Sequence, residues 1–227
     1  MAITRSKKLP SPHPYAPAAL RHLKRIDPVM AAIIKGVGPF EIRVSPRRFQ
    51  ALARAIIFQQ LAGSAATAIY GRVVALFPGR TFPTPAQLLA SSDEDLRQAG
   101  LSRQKILYLR DLAAHLANKS LSFHRFGKMS DDEIIADLTR VKGIGRWTAE
   151  MFLMFNLGRP DVLPLDDLGL RSAARVAYGL GDLPSKRELE ELGERWRPFR
   201  TVASWYLWQS TRIILPDAAP ASRKRSR

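Results

Sequence analysis

Two adjacent aspartates, Asp166 and Asp167, follow an apolar loop and precede a segment with helical periodicity. A carboxylate at a helix start accepts hydrogen bonds from unpaired backbone N–H groups, so one of the pair is expected to be a plain N-cap. The helix dipole would hold the other carboxylate in place and ionised. A carboxylate fixed in this way stabilises positive charge in a transition state, or orients a water.

A second candidate site lies upstream, where Gly143 and Gly145 separate two amphipathic segments. Glycine allows positive φ and lets a ligand come close to the backbone. The first N–H groups of the following helix, flanked by Lys142 and Arg146, favour a phosphate. The alternative is an ordinary turn between two helices. The apolar residues expected to hold these helices together are Leu138, Val141 and Ile144.

Composition narrows the function classes. The 227 residues contain 36 Lys and Arg against 20 Asp and Glu, a net charge of +16, which favours a polyanion partner, most often nucleic acid. The chain has no Cys, which excludes disulfides, thiolate zinc sites, cysteine nucleophiles and Cys-ligated iron–sulfur clusters. Its four His are scattered, which disfavours a histidine metal site. No apolar run reaches the roughly 18 residues of a membrane span, and we expect neither membrane insertion nor secretion.

The elements that position these residues are predicted to be helices, apart from a short strand at residues 40–44. A helix after Ser45-Pro46 has an apolar stripe that stops at Gln59-Gln60, and another runs from Ser64 to Phe77. Ser130 with Glu133, and Ser185 with Glu188, form capping boxes. Further helix starts are predicted at Thr84, Ser92, Ser102, Arg146 and after Pro198, the last of these helices extending to Ile213. The fold class is therefore all-α.

In order and spacing, these motifs resemble the helix-hairpin-helix DNA glycosylase superfamily, and more closely its alkylation-repair branch, 3-methyladenine DNA glycosylase II. The matching segments are residues 143–150, 163–167, 197–200 and 205–208. The resemblance is to the short form, without the N-terminal β-domain of longer bacterial members. Pocket residues that those members draw from their N-terminal region are therefore not carried over.

The resemblance implies a two-lobed helical fold with a cleft between the lobes. The expected boundaries are a flexible basic tail at 1–14, a glycosylase domain at 15–217 and a second flexible basic tail at 218–227. The lobes are expected at 45–157, and at 15–44 together with 158–217.

The resemblance also implies an activity: hydrolysis of the N-glycosidic bond of alkylated purines flipped out of duplex DNA. Asp167 aligns with the essential acid, and Asp166 is its neighbour or the cap. Trp147 stands where bifunctional relatives have a lysine that forms a Schiff base, so no lyase activity is expected. Trp147, Trp208 and Asp166 are the expected base pocket, since an indole face attracts a cationic base by roughly 0.5–2 kcal/mol. Trp196 and Trp205 are expected to be core residues.

The expected DNA contacts comprise a wedge and two backbone-binding segments. Gln60 aligns with the residue that fills the gap left by the flipped base, with Gln59 as its neighbour. Ser102 and Lys105 lie in a segment that resembles a family phosphate contact, although solvated side chains are the equal alternative. The hairpin residues assigned to DNA are Lys142, Gly143, Gly145, Arg146 and Thr148. The family further implies a structural Na⁺ or K⁺ on the carbonyls of Thr139, Val141 and Ile144.

No other cofactor is expected. The implied partner is double-stranded DNA with damaged bases, bound by a monomer in the cytoplasm and nucleoid of a bacterium or the nucleus of a eukaryote. Two alternatives stay open: a non-catalytic helix-hairpin-helix DNA-binding protein, and a glycosylase for other damaged bases. Neutral lesions need hydrogen-bonding readers, which the aromatic pocket does not offer, and this argues against the second alternative.

Overall fold

A computed structural model describes residues 13–42 and 44–211 of the chain. Over these residues the protein has twelve α-helices and no β-strand, which confirms the all-α prediction. The helices are α1 (Ala16–Ile26), α2 (Pro28–Val37), α3 (Arg48–Phe58), α4 (Gly63–Ala75), α5 (Pro85–Ala90), α6 (Asp93–Gln98), α7 (Arg103–Ala117), α8 (Asp131–Thr139), α9 (Arg146–Phe152), α10 (Leu168–Ala177), α11 (Lys186–Glu194) and α12 (Arg200–Ser210). A π-helical segment, Leu153–Leu157, extends α9.

Polar caps fix most helix starts where the sequence predicts them. Thr84, Ser92, Ser102, Ser130 and Ser185 each accept a backbone N–H of the first turn, and Ser130 and Ser185 form the predicted boxes with Glu133 and Glu188. There are two exceptions. The helix predicted from Ser64 to Phe77 is α4, which begins at Gly63, ends at Ala75 and has no side-chain cap. The other exception is Ser45. Its hydroxyl accepts the N–H of Arg47 in a local turn, and α3 begins only at Arg48 without a side-chain cap.

The predicted strand at residues 40–44 is wrong as far as this segment is described. Residues 40–42 and 44 are irregular, and the described chain offers no second strand to pair with them. The alternating pattern has another cause, since Phe40 and Ile42 are buried at 6% and 7% exposure against helices. Helices α1 and α2 were not predicted, although Asp27-Pro28 is a strong helix start. Ile213 and nearly all of both predicted tails lie outside the described residues.

The chain divides after Val44 and after Leu157 into two compact units. We call residues 45–157 the hairpin unit and the remaining described residues the aspartate unit. The hairpin unit packs α3 against α4, α7 and α9, and α8 against α9. The aspartate unit packs α12 against α2 and α10. Among the helices described, none combines the length and apolar character needed to cross a membrane.

The core of the aspartate unit contains a buried carboxylate. Asp27 is 1% exposed and caps α2 by accepting the N–H groups of Val29 and Met30 at 3.0 and 3.2 Å. Its other oxygen accepts the Tyr178 hydroxyl at 2.7 Å and the Trp196 indole N–H at 3.1 Å. Burial and the neighbouring carboxylate raise the pKa of Tyr178. Trp196 is fully buried, as predicted for a core residue.

Replacing Asp27 should therefore destabilise the fold. Asp27→Ala removes the acceptor of four donors, the N–H groups of Val29 and Met30, the Tyr178 hydroxyl and the Trp196 indole N–H, and each donor left buried and unpaired costs about 1–3 kcal/mol. We expect the free energy of unfolding in urea to fall by about 3 kcal/mol. The exposed residue Asp182 provides the control, since Asp182→Ala should change stability by less than about 0.5 kcal/mol. Equal effects of the two substitutions would contradict this account of Asp27.

Candidate functional site

The hairpin between α8 and α9 has the predicted apolar anchor. Leu138, Val141 and Ile144 are at most 3% exposed. The N–H of Val141 donates to the Leu138 carbonyl and that of Ile144 donates to the Val141 carbonyl, both at 3.1 Å. These two bonds close successive tight turns, so residues 140–145 have a defined backbone.

The two hairpin glycines serve different purposes. Gly143 has φ = 83°, a conformation that other residues rarely adopt. A Cβ there would lie 2.2 Å from the Tyr108 ring, so the position also requires glycine for close packing. Gly145 has φ = −90°, and a Cβ on it would meet no atom of the described residues within 4 Å. Nothing described within the protein demands glycine at 145, which leaves room for a ligand against the backbone.

The basic residues of the hairpin lie on its surface. The Lys142 and Arg146 side chains are 74% and 58% exposed, although Arg146 also donates to Glu150 at 3.0 Å. Thr148, assigned to DNA from the sequence, is only 7% exposed, so its side chain does not share this surface. The backbone N–H of Lys142 donates to the Asp111 carboxylate at 2.8 Å. Sequence reasoning missed Asp111, because a lone acid on α7 gives no signal of its contact with residue 142.

The loop between α3 and α4 presents the two predicted wedge residues differently. Gln59 is half-buried, and its amide donates to the Gly143 carbonyl at 2.8 Å. Gln60 is exposed and has φ = 56°, a left-handed conformation unusual for a residue with a Cβ. The loop therefore contacts the hairpin through Gln59 and displays Gln60 to solvent.

The segment at Ser102 and Lys105 has structural contacts of its own. The Ser102 hydroxyl accepts the Lys105 N–H and thereby caps α7. The Lys105 ammonium donates to the carbonyls of Ile57 and Gln59 at 2.7 and 2.8 Å. Burial lowers the pKa of Lys105. Two alternatives were predicted from the sequence for this segment, a phosphate contact or a solvated side chain. Neither describes the observed arrangement, in which the Lys105 ammonium binds two backbone carbonyls.

A surface pocket of about 520 Å³ brings these parts of the hairpin unit together. The residues that line it include the predicted residues Gln59, Gln60, Ser102, Lys105, Thr139, Val141, Lys142, Gly143, Ile144 and Gly145. Thr139, Val141 and Ile144 contribute to one wall, which is compatible with a cation held by their carbonyls. The described residues contain no cluster of His, Asp or Glu that would hold a metal ion.

In the aspartate unit, Asp167 itself is the N-cap of α10. One carboxylate oxygen, Oδ1, accepts the Leu170 N–H at 2.6 Å and the Trp208 indole N–H at 3.0 Å. Asp166 is therefore not the cap; its side chain is 42% exposed and pairs with Lys186. A Cβ on Gly169 would lie 3.2 Å from Oδ1 of Asp167, so the backbone passes close to the carboxylate. The Asp167 carboxylate therefore has a fixed orientation at a helix start. The chemistry suggested from the sequence, stabilising positive charge in a transition state or orienting a water, requires such an orientation.

The loop before Asp167 is anchored on the start of α12. The Arg200 guanidinium donates to Asp161 at 2.8 and 3.0 Å, and Arg197 donates to the same carboxylate at 2.9 Å. The Thr201 hydroxyl accepts the Val162 N–H at 3.0 Å and donates to the Arg159 carbonyl. A hydrogen bond from Arg197 holds the pKa of Glu194 below its usual range. No role for Asp161 or Thr201 was predicted from the sequence, because their partners lie 36 to 42 residues away along the chain.

The indoles of the predicted base pocket lie in different units. Trp147, in the hairpin unit, is 47% exposed, unusual for so large an apolar side chain. Trp208, in the aspartate unit, is half-buried beside Asp167. Trp205, predicted as core, is half-buried and packs edge-to-face on Phe40 and Tyr206, with ring centroids 5.1 and 4.8 Å apart.

The chain is similar to one known protein family and to several known proteins. Residues 53–198 match the HhH-GPD superfamily of base excision DNA repair proteins. DNA-3-methyladenine glycosylase 1 of Schizosaccharomyces pombe is 36% identical over 85% of this chain and 86% of its own length. The structure of 3-methyladenine DNA glycosylase Mag1 from the same yeast, in complex with abasic DNA, has a TM-score of 0.76 at 34% identity, covering 88% and 99% of the two chains. A DNA-3-methyladenine glycosidase from Bacillus halodurans has a TM-score of 0.77 at 40% identity, covering 88% and 89%.

The two hairpin glycines should respond differently to substitution. Gly143→Ala forces a Cβ into Tyr108 at positive φ, and we expect it to lower the free energy of unfolding by about 1–3 kcal/mol. Gly145→Ala has an ordinary φ and open space, so a change below about 1 kcal/mol is expected. Thermal and urea unfolding of both variants measures the difference. Equal destabilisation would mean that the described packing around Gly143 is wrong.

Proposed function

Because the chain belongs to the HhH-GPD superfamily of base excision DNA repair proteins, we propose that it is a monofunctional DNA glycosylase that excises alkylated purines, 3-methyladenine and 7-methylguanine first among them. The observation that carries the proposal is the Asp167 carboxylate, fixed by the Leu170 N–H and the Trp208 indole N–H. Similar proteins named as 3-methyladenine glycosylases support the substrate class.

In the proposed reaction the target nucleotide is first flipped out of the duplex. The bond between the anomeric carbon and the base nitrogen breaks, and its electron pair leaves with the base. Asp167 stabilises the positive charge that develops on the sugar. Water then adds its oxygen to the anomeric carbon and loses a proton. An N3- or N7-alkylated purine is cationic and already a good leaving group, so the enzyme needs no strong general acid.

The aromatic residues favour a cationic base. An indole face attracts such a cation by roughly 0.5–2 kcal/mol, and Trp147 and Trp208 provide two indoles.

The side chain at position 147 also bears on whether the enzyme cleaves the DNA strand. Trp147 has no amine, so a Schiff base with the sugar cannot form at this position, and strand cleavage is not part of the proposed activity. Asp166 completes the proposed pocket as the neighbour of Asp167. Etheno-adenine is a candidate secondary substrate.

The hairpin unit supplies the proposed grip on DNA. Lys142 and Arg146 present cations at the hairpin, and Gly145 leaves its backbone open to a phosphate. Gln60 is the proposed wedge, because the resemblance aligns it with the family's wedge residue and it is exposed in the loop that joins α3 to α4, whereas Gln59 is half-buried. A monovalent cation on the carbonyls of Thr139, Val141 and Ile144 would add positive charge beside the phosphate. Water is the only co-substrate, and no organic cofactor is required.

We further propose that the protein acts as a monomer on damaged duplex DNA. Its location then follows its substrate: the nucleoid in the cytoplasm of a bacterium, or the nucleus of a eukaryote.

The role of Asp167 is tested by amide substitution. Asp167→Asn keeps the Leu170 cap acceptor but removes the charge, so base release should fall at least about a thousandfold while affinity for undamaged duplex stays within about threefold. Release of free base under single-turnover conditions measures the first quantity, and fluorescence anisotropy measures the second. Asp166→Asn is the matched variant, for which we expect a smaller loss. A larger loss in Asp166→Asn than in Asp167→Asn would reverse the assignment of the two carboxylates. Unchanged base release in Asp167→Asn would remove Asp167 from the mechanism, whereas absence of base release in the unsubstituted protein would leave only a DNA-binding function.

Substrate class and reaction type are tested with a panel of duplexes carrying 3-methyladenine, 7-methylguanine, etheno-adenine, hypoxanthine or 8-oxoguanine. We expect the fastest release of free base from the first two, because only these bases carry a full positive charge for the indoles to stabilise, and slower release of the neutral etheno-adenine. Strand breaks should form only after alkali treatment of the abasic product. Breaks without alkali would contradict the argument from Trp147, and release of 8-oxoguanine in preference to 3-methyladenine would overturn the proposed substrate.

A further inference from the structure

Two side chains that the family resemblance assigns to DNA hold the loop that presents Gln60: Gln59 joins it to the hairpin, and Lys105 joins it to α7. We propose that Gln59 and Lys105 form a brace that fixes Gln60 relative to the hairpin, and that they act on DNA only through this positioning. The proposal rests on the proposed function for its effect on base release. Its structural part concerns the protein without DNA.

The first half of the brace is the Gln59 amide. Its nitrogen donates to the Gly143 carbonyl at 2.8 Å, at the tip of the hairpin. Gly143 is itself held by the Tyr108 ring, which lies where a Cβ would be. The Tyr108 hydroxyl accepts the Gln104 amide at 2.6 Å. The Gln59 side chain therefore ends on a part of the hairpin that α7 already supports.

The second half is the Lys105 ammonium. It donates to the carbonyls of Ile57 and Gln59 at 2.7 and 2.8 Å, which are among the last carbonyls of α3 and its C-cap. Such carbonyls have no partner within their helix, and the negative end of the helix dipole favours a cation there. With two of its three N–H groups directed into the protein, Lys105 is poorly disposed to bind a phosphate.

The brace accounts for the backbone of Gln60. A residue with a Cβ in the left-handed region costs roughly 1–2 kcal/mol, and such a conformation persists only where the surroundings hold it. Gln59, on one side, is held through both its side chain and its carbonyl. On the other side the Leu61 N–H reaches the Phe58 carbonyl at 3.4 Å, a weak closing contact. The left-handed conformation of Gln60 thus belongs to a turn that the Leu61 N–H closes weakly and that the brace supports at Gln59.

Fixed geometry between the loop and the hairpin has a functional consequence. A wedge enters the duplex at the correct step only if its distance from the bound phosphates is set in advance, and preorganisation lowers the entropy cost of insertion. Loss of the brace should therefore impair base flipping and release more than non-specific DNA affinity.

The salt dependence of DNA binding separates a brace from a phosphate contact. The Lys105→Met and Lys142→Met variants each remove one positive charge from the same pocket. The slope of log affinity against log salt concentration for undamaged duplex should be unchanged in Lys105→Met and reduced by about 0.9 in Lys142→Met. A reduction of about 0.9 in Lys105→Met would show that Lys105 binds a phosphate, and would overturn the proposal.

Two further readouts use Gln59→Ala beside Lys105→Met. Amide hydrogen exchange of the free protein should become about tenfold faster at residues 58–62 in both variants, with global unfolding monitored separately. Single-turnover base release should fall about tenfold in both. Unchanged exchange and release would refute the brace. If the unsubstituted protein releases no alkylated base, the proposed function fails, but the exchange measurement still decides whether the brace exists.

Discussion

The chemistry of the site depends on one carboxylate oxygen. Oδ1 of Asp167 accepts both the Leu170 N–H and the Trp208 indole N–H, so it is the cap of α10 and the acceptor of an aromatic side chain from α12. Two donors on one oxygen fix the plane of the carboxylate, and α10 and α12 pack directly on each other. A group that must stabilise charge in a short-lived transition state benefits from an orientation set before the substrate arrives.

This arrangement changes how the pair of aspartates is understood. From the sequence, capping and catalysis were divided between Asp166 and Asp167. The structure gives the cap to Asp167, the same residue that we propose as the catalytic acid, and leaves Asp166 in a surface ion pair with Lys186. The two tasks are compatible because a carboxylate has two oxygens and several lone pairs. The N-cap interaction therefore positions the proposed catalytic group rather than competing with it.

Local chemistry explains what could be predicted from the sequence. The caps at Thr84, Ser102, Ser130 and Ser185 and the apolar anchor of the hairpin depend on neighbours a few residues away, so their patterns are visible in the chain. Contacts between distant segments left no such pattern. Asp111 on the Lys142 N–H, Asp27 on Tyr178 and Asp161 on Arg200 join residues that are 31, 151 and 39 positions apart. Asp111 fixes the backbone of the hairpin, Asp161 fixes the loop before Asp167, and Asp27 joins the start of α2 to Tyr178; only the folded chain reveals these contacts.

The role of the positive charge also depends on long-range contacts that could not be predicted from the sequence. The net charge of +16 suggested a broad DNA-binding surface, yet several cations of the hairpin unit bind carbonyls instead. Arg110 donates to the carbonyls of Leu89 and Ser91, in the last turn and at the C-cap of α5, at 3.0 and 2.8 Å. Arg72 donates to the Ala99 carbonyl after α6 at 2.8 Å, and Lys105 does the same for α3. Short helices leave many unpaired carbonyls for their length, and cations satisfy them favourably at the negative end of the dipole. Part of the basic excess is therefore a structural requirement of a fold made of short helices, and the proposed phosphate contacts are limited to the exposed hairpin cations Lys142 and Arg146.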